Sequence, residues 1–255
     1  MSKIHCARKI FSNNDDIENL YTTIIKLTCL VIVLFINPSK WYKVAHKIYC
    51  FSRHLKYFYR YKKETFEIKR IYILNQILSL LTRTNIAFHI PYHFDSVEIK
   101  NENGILFCTT HMPLIKVGIK AMIENNYVIN SIIALYPTKK MKVSIWGMSD
   151  GVPALKANNN VLLKARTLLS NKANIALMID DTVTNTYSGN SMKLCLLTGS
   201  TAVFVFAILN KDGTISTWIE PAPFPKCKTD AEIEENIAYL KQKTNQILDE
   251  YKNRG

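Results

Sequence analysis

The chain is organised around one stretch, Gly104-Ile-Leu-Phe-Cys-Thr-Thr-His-Met-Pro-Leu-Ile-Lys-Val-Gly118. Its apolar run stops abruptly at two threonines and His111, and a second apolar segment begins a few residues later. This pattern predicts a buried strand that carries a histidine at its end, followed by a helix. A histidine placed there can act as a general base, because its ordinary pKa lies near neutrality. Alternatively, it is a polar residue whose hydrogen bonds are satisfied at the end of a strand.

Short apolar runs and amphipathic segments alternate along the chain from Val97 onward. This alternation predicts an α/β fold with a mixed, mostly parallel sheet flanked by helices. The Asp-Gly turn within Asn210–Gly213 makes the last two strands antiparallel. Residues 90–95 are expected to be irregular. The predicted strands are Gly104–Thr109, Ile129–Tyr136, Ile175–Ile179, Ala202–Leu209 and Thr214–Ile219, and the predicted helices are Ile68–Ala87, Leu114–Asn125, Val161–Asn171, Met192–Thr198 and a final one from Thr229 to Tyr251.

A second predicted strand also ends in polar residues. Asp180 and Asp181 directly follow the apolar run Ile175–Ile179. In open α/β sheets ligands bind where strands end, so these aspartates join His111 as candidate catalytic residues. The alternative is that the aspartates cap a helix. The sequence has no glycine-rich phosphate loop. It also has no G-x-S-x-G elbow, which argues against a serine hydrolase of the α/β type.

The amino-terminal part of the chain has a different composition. Leu20–Ile36 is apolar apart from Lys26, and its length is at the short limit of the roughly 17–25 residues that span a bilayer. Lys40–Arg70 then carries ten lysines and arginines against two acids, interleaved with aromatic residues. Basic residues are typical of the cytoplasmic side of a membrane and aromatic residues of the lipid interface. We therefore expect a membrane anchor and basic interfacial segment over residues 1–70 and an α/β domain over residues 71–255, although Leu20–Ile36 can also be a buried core helix.

The net charge of +13 points to an anionic partner such as a membrane surface, a nucleic acid or a phosphorylated substrate. Basic residues interleaved with aromatic ones also describe a platform for single-stranded nucleic acid. That interpretation leaves the apolar run before them unexplained, so we expect no nucleic-acid partner. The six cysteines are scattered without a C-x-x-C pair, which indicates a reducing compartment without disulfides or a zinc site.

Along the chain come an apolar helix, a basic aromatic segment, an amphipathic helix, a strand ending in histidine and a strand ending in aspartate. This order resembles the lysophospholipid acyltransferase superfamily, and within it the lipid A late acyltransferases of the lauroyl and myristoyl transferase type. Gly104–Gly118 is similar to that family's strand–histidine segment, in which Asp or Glu follows the histidine by five residues. Ile175–Asp181 resembles its strand ending in aspartate, and Leu197–Ala207 resembles its segment of small residues leading into an apolar strand. The resemblance covers residues 20–250 as a layout with short motifs.

The resemblance implies acyl transfer with His111 as the general base. The base removes a proton from a hydroxyl or amine of a lipid or glycolipid acceptor, which attacks the thioester of acyl-carrier protein or acyl-CoA. The thioester is a substrate, and neither a cofactor nor a metal is expected. Thr109, Thr110 and Lys116 are expected to line the acceptor or its phosphate. The resemblance also implies a place at the cytoplasmic face of the bacterial inner membrane, on its anionic surface.

One position departs from the family pattern. Lys116 stands where the family has its carboxylate, and a lysine cannot accept the imidazole N–H and lowers the pKa of a neighbouring histidine. Three interpretations remain open. Asp180 or Asp181 supplies the carboxylate from another strand, the histidine works alone or through a backbone carbonyl, or the chain is a catalytically degenerate lipid-binding or accessory protein of the same fold.

Overall fold

The computed structural model describes residues 15–54, 63–99, 103–181 and 186–253. In these ranges the helices and strands alternate largely as the apolar pattern predicts. The helices are α1 (Asp15–Phe35), a short 3₁₀ helix (Pro38–Lys40), α2 (Trp41–Phe51), α3 (Lys63–Thr82), α4 (Ile115–Glu124), α5 (Val161–Ser170), α6 (Gly189–Thr198) and α7 (Asp230–Asn253). The strands are β1 (Tyr92–Asp95), β2 (Ile105–Thr109), β3 (Ser131–Ala134), β4 (Lys142–Val143), β5 (Val152–Lys156), β6 (Ile175–Met178), β7 (Asp180–Asp181), β8 (Thr186–Tyr187), β9 (Thr201–Leu209) and β10 (Ile215–Pro221).

Eight of these strands form one sheet in the order β1-β10-β9-β2-β6-β3-β5-β4. The four strands β9, β2, β6 and β3 pair in parallel, and β5 continues the parallel run. The pair β9–β10 is antiparallel across the Asn210–Gly213 turn, as predicted, and β4 lies antiparallel to β5. The predicted α/β fold with a mixed, mostly parallel sheet flanked by helices is therefore confirmed.

The sheet separates two layers of helices. Phe204 of β9 stacks on Tyr239 of α7, with ring centroids 6.1 Å apart. The next residue, Val205, faces α4, where a β-carbon added at Gly118 would lie 3.3 Å from its side chain. Successive side chains of a strand point to opposite faces, so α4 and α7 cover opposite faces of the sheet. All nine residues of β9 are buried between these layers, which makes this strand the centre of the core.

One prediction from the sequence was wrong, and α2 and the strands β4, β5, β7 and β8 were not predicted. Residues 92–95 form the edge strand β1, paired in parallel with β10, although the sequence predicted an irregular segment. Its burial alternates over only four residues, so its apolar pattern is too short to stand out. The strand β5 was not predicted because Pro153 lies within it and proline weakens a strand pattern.

The described amino-terminal helices pack on the same core as the sheet. Ile25, Cys29 and Ile32 bury one face of α1, and α1 and α2 both contact α3. The hydroxyl of Tyr42 in α2 donates to the carbonyl of Gly213, 2.6 Å away. The predicted boundary at residue 70 lies inside α3. Within the described ranges, no helix has both the length and the apolar character needed to cross a membrane. Residues 55–62 of the predicted basic segment lie outside the described residues.

Gly104, at the entrance to β2, has no room for a side chain. A β-carbon there would lie 2.2 Å from the carbonyl oxygen of Ala173 and 2.9 Å from that of Leu169. We expect Gly104→Ala to lower the free energy of unfolding by about 1–3 kcal/mol, because backbone atoms must shift to relieve the clash. Denaturant titration measures this effect. Gly189→Ala is the matched control, since its β-carbon would meet only the Ile237 side chain at 3.7 Å. Equal losses in the two variants would contradict the packing described here.

Candidate active site

The register of two parallel strands brings His111 and Asp180 together. The strands β2 and β6 are neighbours, and Thr109 pairs with Met178 in their register. His111 and Asp180 each lie two residues beyond that pair along their own chain segments. Parallel strands end at the same edge of a sheet. The histidine and the aspartate are therefore placed side by side by the sheet itself.

The two side chains form a hydrogen-bonded pair. The imidazole Nδ1 of His111 lies 2.8 Å from Oδ1 of Asp180. The backbone N–H of His111 also donates to both carboxylate oxygens, at 2.9 and 3.0 Å. An ionised carboxylate only accepts hydrogen bonds, so Nδ1 carries the proton. The opposite nitrogen, Nε2, has no hydrogen-bond partner among the described residues and is left as a proton acceptor.

Burial differs between the two members of the pair. The Asp180 side chain is 14% exposed, whereas that of His111 is 42% exposed. The aspartate is thus held inside the protein, and the histidine reaches the surface where a substrate can contact it. The hydrogen bond that Nδ1–H donates to Asp180 raises the pKa of His111, burial opposes this, and the charges of Asp180 and Asp181 raise the pKa further. The imidazole is therefore a stronger base than a free histidine.

The loop between β2 and α4 is fixed by a contact from α3. Leu114, just before α4, has φ of 67°, which is uncommon for a residue other than glycine. Its backbone N–H donates to the side-chain oxygen of Asn75, 2.9 Å away. This bond ties the end of the loop to α3.

Lys116, which stands at the position where the family pattern has its carboxylate, lies in the first turn of α4. Its ammonium group lies 5.8 Å from the centroid of the Trp146 ring, a cation–π contact. Burial lowers the pKa of Lys116, and the nearby charge of Arg83 lowers it further. A contact between Lys116 and an acceptor phosphate stays a prediction.

The hydroxyl groups of the two threonines before His111 make hydrogen bonds within the protein. Thr109 donates its hydroxyl to the carbonyl of Val205, 2.9 Å away. The hydroxyl of Thr110 lies 3.2 Å from that of Thr244 in α7. Both threonines are buried. Their bonds join the end of β2 to β9 and to α7. Direct contact between either threonine and a substrate stays a prediction.

Three further residues surround the pair, and no motif in the sequence indicates them. Tyr187 lies opposite Asp180 in the β7–β8 hairpin. Burial raises the pKa of Tyr72 in α3 and that of Tyr187, and the charge of Asp180 is close enough to both tyrosines to raise these pKa values further. The ammonium group of Lys241 lies 5.9 Å from the centroid of the Tyr187 ring. Asp181 is exposed beside them. The site therefore combines groups from two strand ends, a hairpin and two helices.

Comparison with protein-family models and with curated proteins finds no match to this chain. The described part of the chain also contains no group of three or more histidine, cysteine, aspartate or glutamate side chains arranged to hold a metal ion.

Proposed function

We propose that the protein is an acyltransferase that moves a fatty acyl chain from an acyl thioester to a hydroxyl or amine of a lipid or glycolipid acceptor. The observation that supports this most is the His111–Asp180 pair, with Nδ1 held at 2.8 Å and Nε2 open. In this proposal the chain is a divergent relative of the lipid A late acyltransferases. Asp180 takes the part of the carboxylate that the family places five residues after its histidine.

The reaction follows from the orientation of the imidazole. Nε2 of His111 takes the proton of the acceptor hydroxyl, and the acceptor oxygen attacks the thioester carbonyl carbon. The new C–O bond forms, the C–S bond breaks, and the leaving thiolate receives the proton from the imidazolium. Asp180 holds Nδ1–H in place and balances the positive charge while the imidazole is protonated.

A direct transfer fits this site better than an acyl-enzyme formed on Cys108. The nearest thiol along the chain, Cys108, is fully buried, and its sulfur lies 3.4 Å from that of Met192. Burial raises the pKa of the Cys108 thiol well above its usual range. The reactive form of cysteine is the thiolate, so Cys108 is not a suitable nucleophile. His111 therefore acts on the acceptor itself.

The proposal also places the protein on an anionic membrane surface, at the cytoplasmic face of the bacterial inner membrane. One face of α1 packs on the protein, and the other exposes an apolar stripe. The most exposed members of this stripe are Leu27, Leu34 and Phe35, at 59%, 63% and 81%. Lys40, Lys43 and Lys47 follow it and are exposed. An apolar stripe beside basic residues is typical of a helix that lies in the lipid interface, and each lysine near anionic lipid contributes about 1 kcal/mol.

The double variant Leu27→Gln/Leu34→Gln tests this placement. We expect its partition onto phosphatidylglycerol vesicles, measured by flotation, to fall at least about tenfold. The reason is that two leucine side chains that enter the lipid interface are replaced by polar ones. Leu163→Gln/Leu197→Gln is the matched control, since those leucines are 64% and 56% exposed on other helices. If both double variants float equally well, α1 is not the membrane contact.

Release of free thiol tests the proposed activity. Purified protein is incubated with an acyl-CoA or an acyl-carrier protein thioester, and a membrane lipid extract supplies acceptors. The proposal predicts thiol release that depends on the extract. Binding of the acyl chain without any thiol release above the protein-free rate would instead identify a lipid-binding protein.

A further inference from the structure

A concave site lies apart from the sequence motifs, beside the loops that flank β4. It is a cleft of about 470 Å³ between the end of α3 and residues 138–151. This volume lies in the range of small-molecule sites, roughly 300–1,000 Å³. Three lysines and one carboxylate line the cleft: Lys139, Lys140, Lys142 and Asp150. The site is therefore positively charged.

The charges of the cleft are only partly neutralised within the protein. Lys142 pairs with Asp150, its Nζ lying 2.7 and 2.8 Å from the two carboxylate oxygens. This pairing and the backbone N–H of Gly151 lower the pKa of Asp150, which stays ionised. In the described part of the chain, Lys139 and Lys140 have no carboxylate within ion-pair distance. Two ammonium groups are thus available to an anion from outside.

The lysines sit on a turn whose backbone is well defined. The N–H of Thr138 donates to the carbonyl of Lys142 at 2.9 Å, and the N–H of Met141 donates back to the carbonyl of Thr138 at 2.8 Å. The carbonyl of Met141 accepts from the N–H of Ala154 in β5, at 2.8 Å. The turn is therefore fastened to the sheet, and binding a ligand there requires little ordering of the backbone.

Neutral hydrogen-bond donors accompany the lysines. The hydroxyls of Ser144 and Ser149 and the side-chain amide of Asn85 line the same cleft. Among the residues that the structure describes, none of these three side-chain groups has a hydrogen-bond partner. Lysines and serines that line the same cleft supply the kinds of hydrogen-bond donor that the oxygens of a phosphate group accept.

We propose that this cleft binds the phosphate group of a phosphorylated ligand. The binding site does not depend on the acyltransferase proposal, because none of its lining residues belongs to the His111–Asp180 site. The phosphate can come from a soluble phosphorylated compound or from the headgroup of a phospholipid. Both sources present the same oxygens to Lys139, Lys140 and the two serines.

Calorimetric titration of the full chain with pyrophosphate tests the site. We expect Lys139→Gln/Lys140→Gln to weaken pyrophosphate binding at least about tenfold, because two charge-assisted contacts are lost. Lys164→Gln/Lys228→Gln removes the same charge from two other exposed positions and is expected to leave the affinity unchanged. Ser144→Ala/Ser149→Ala keeps the charge and is expected to weaken binding as well.

A competition experiment distinguishes the two sources of phosphate. Displacement of pyrophosphate by vesicles that contain phosphatidic acid indicates a lipid headgroup, and no displacement indicates a soluble ligand. Two results would overturn the proposal. One is equal loss of affinity in the Lys139/Lys140 and Lys164/Lys228 variants, which would mean diffuse charge attraction. The other is that wild type binds no pyrophosphate while phosphatidic acid vesicles bind the wild type and Lys139→Gln/Lys140→Gln alike.

Discussion

His111→Ala is expected to slow thiol release from an acyl thioester by at least about 100-fold, which is the contribution of a general base. Alanine leaves the acceptor hydroxyl without a group to take its proton, while Asp180 and the rest of the site remain. The measurement is the initial rate of thiol release by purified wild type and variant at the same acceptor concentration. It assigns the proton transfer to one side chain.

Two controls make this result specific. His93→Ala removes another histidine, which is exposed on the edge strand β1, and should leave the rate near that of wild type. The His111 side chain is 42% exposed, so its removal leaves little cavity, and the thermal transition should be retained. Equal turnover by wild type and a folded His111→Ala protein would remove His111 from the mechanism.

Asp180→Asn is expected to slow the reaction by roughly 10- to 100-fold at neutral pH, the cost of a misplaced catalytic group. The amide carries no charge, so it does not balance the imidazolium, and it can donate as well as accept, so it does not fix the proton on Nδ1. The base itself remains, and for this reason the loss is smaller than in His111→Ala. Asp181→Asn is the neighbouring control, since Asp181 contributes only through its charge.

The pH dependence of kcat/KM gives an independent signature of the same pair. A general base works in its neutral form, so the rate falls as pH drops below the pKa of His111. Asp180 raises that pKa above its ordinary value of 6.5, so the acid limb of the wild-type profile lies above pH 6.5. In Asp180→Asn the limb should move to lower pH, and in Asp181→Asn it should move less in the same direction. An unchanged limb in Asp180→Asn would show that the aspartate does not act on the base.

The main strands were predictable from the sequence because each is a short apolar run bounded by turn residues. The partnership of His111 and Asp180 was predictable only as one of three alternatives. Both residues follow predicted strands, but the sequence pattern does not predict that β2 and β6 are neighbours or that Thr109 pairs with Met178. That register is a property of the assembled sheet, and it decides which strand ends meet.

Lys116 shows why spacing along the chain misleads at this site. The imidazole needs a carboxylate oxygen within hydrogen-bond distance of Nδ1, and it does not matter which segment supplies that oxygen. The family pattern places the carboxylate five residues after the histidine, at a position that lies in α4. The structure supplies it from Asp180, 69 positions away in the chain. Tyr72 and Tyr187 escaped prediction for a related reason, since their proximity to Asp180 arises from packing alone.

The exposed face of α1 is a further feature that the sequence only half reveals. The apolar run Leu20–Ile36 predicts a helix, but an apolar run alone does not distinguish a spanning helix, an interfacial helix and a core helix. The packing of Ile25, Cys29 and Ile32 on the protein, with Leu27 and Leu34 left outside, supports the interfacial interpretation.

Lipid mass spectrometry tests the central claim most directly, because it requires no prior choice of acceptor. Cells that produce wild type are compared with cells that produce equal amounts of the His111→Ala protein. The account predicts lipid or glycolipid species that are heavier by one fatty acyl group in wild-type cells and missing from His111→Ala cells. The same set of acylated species in both would contradict acyl transfer by this site.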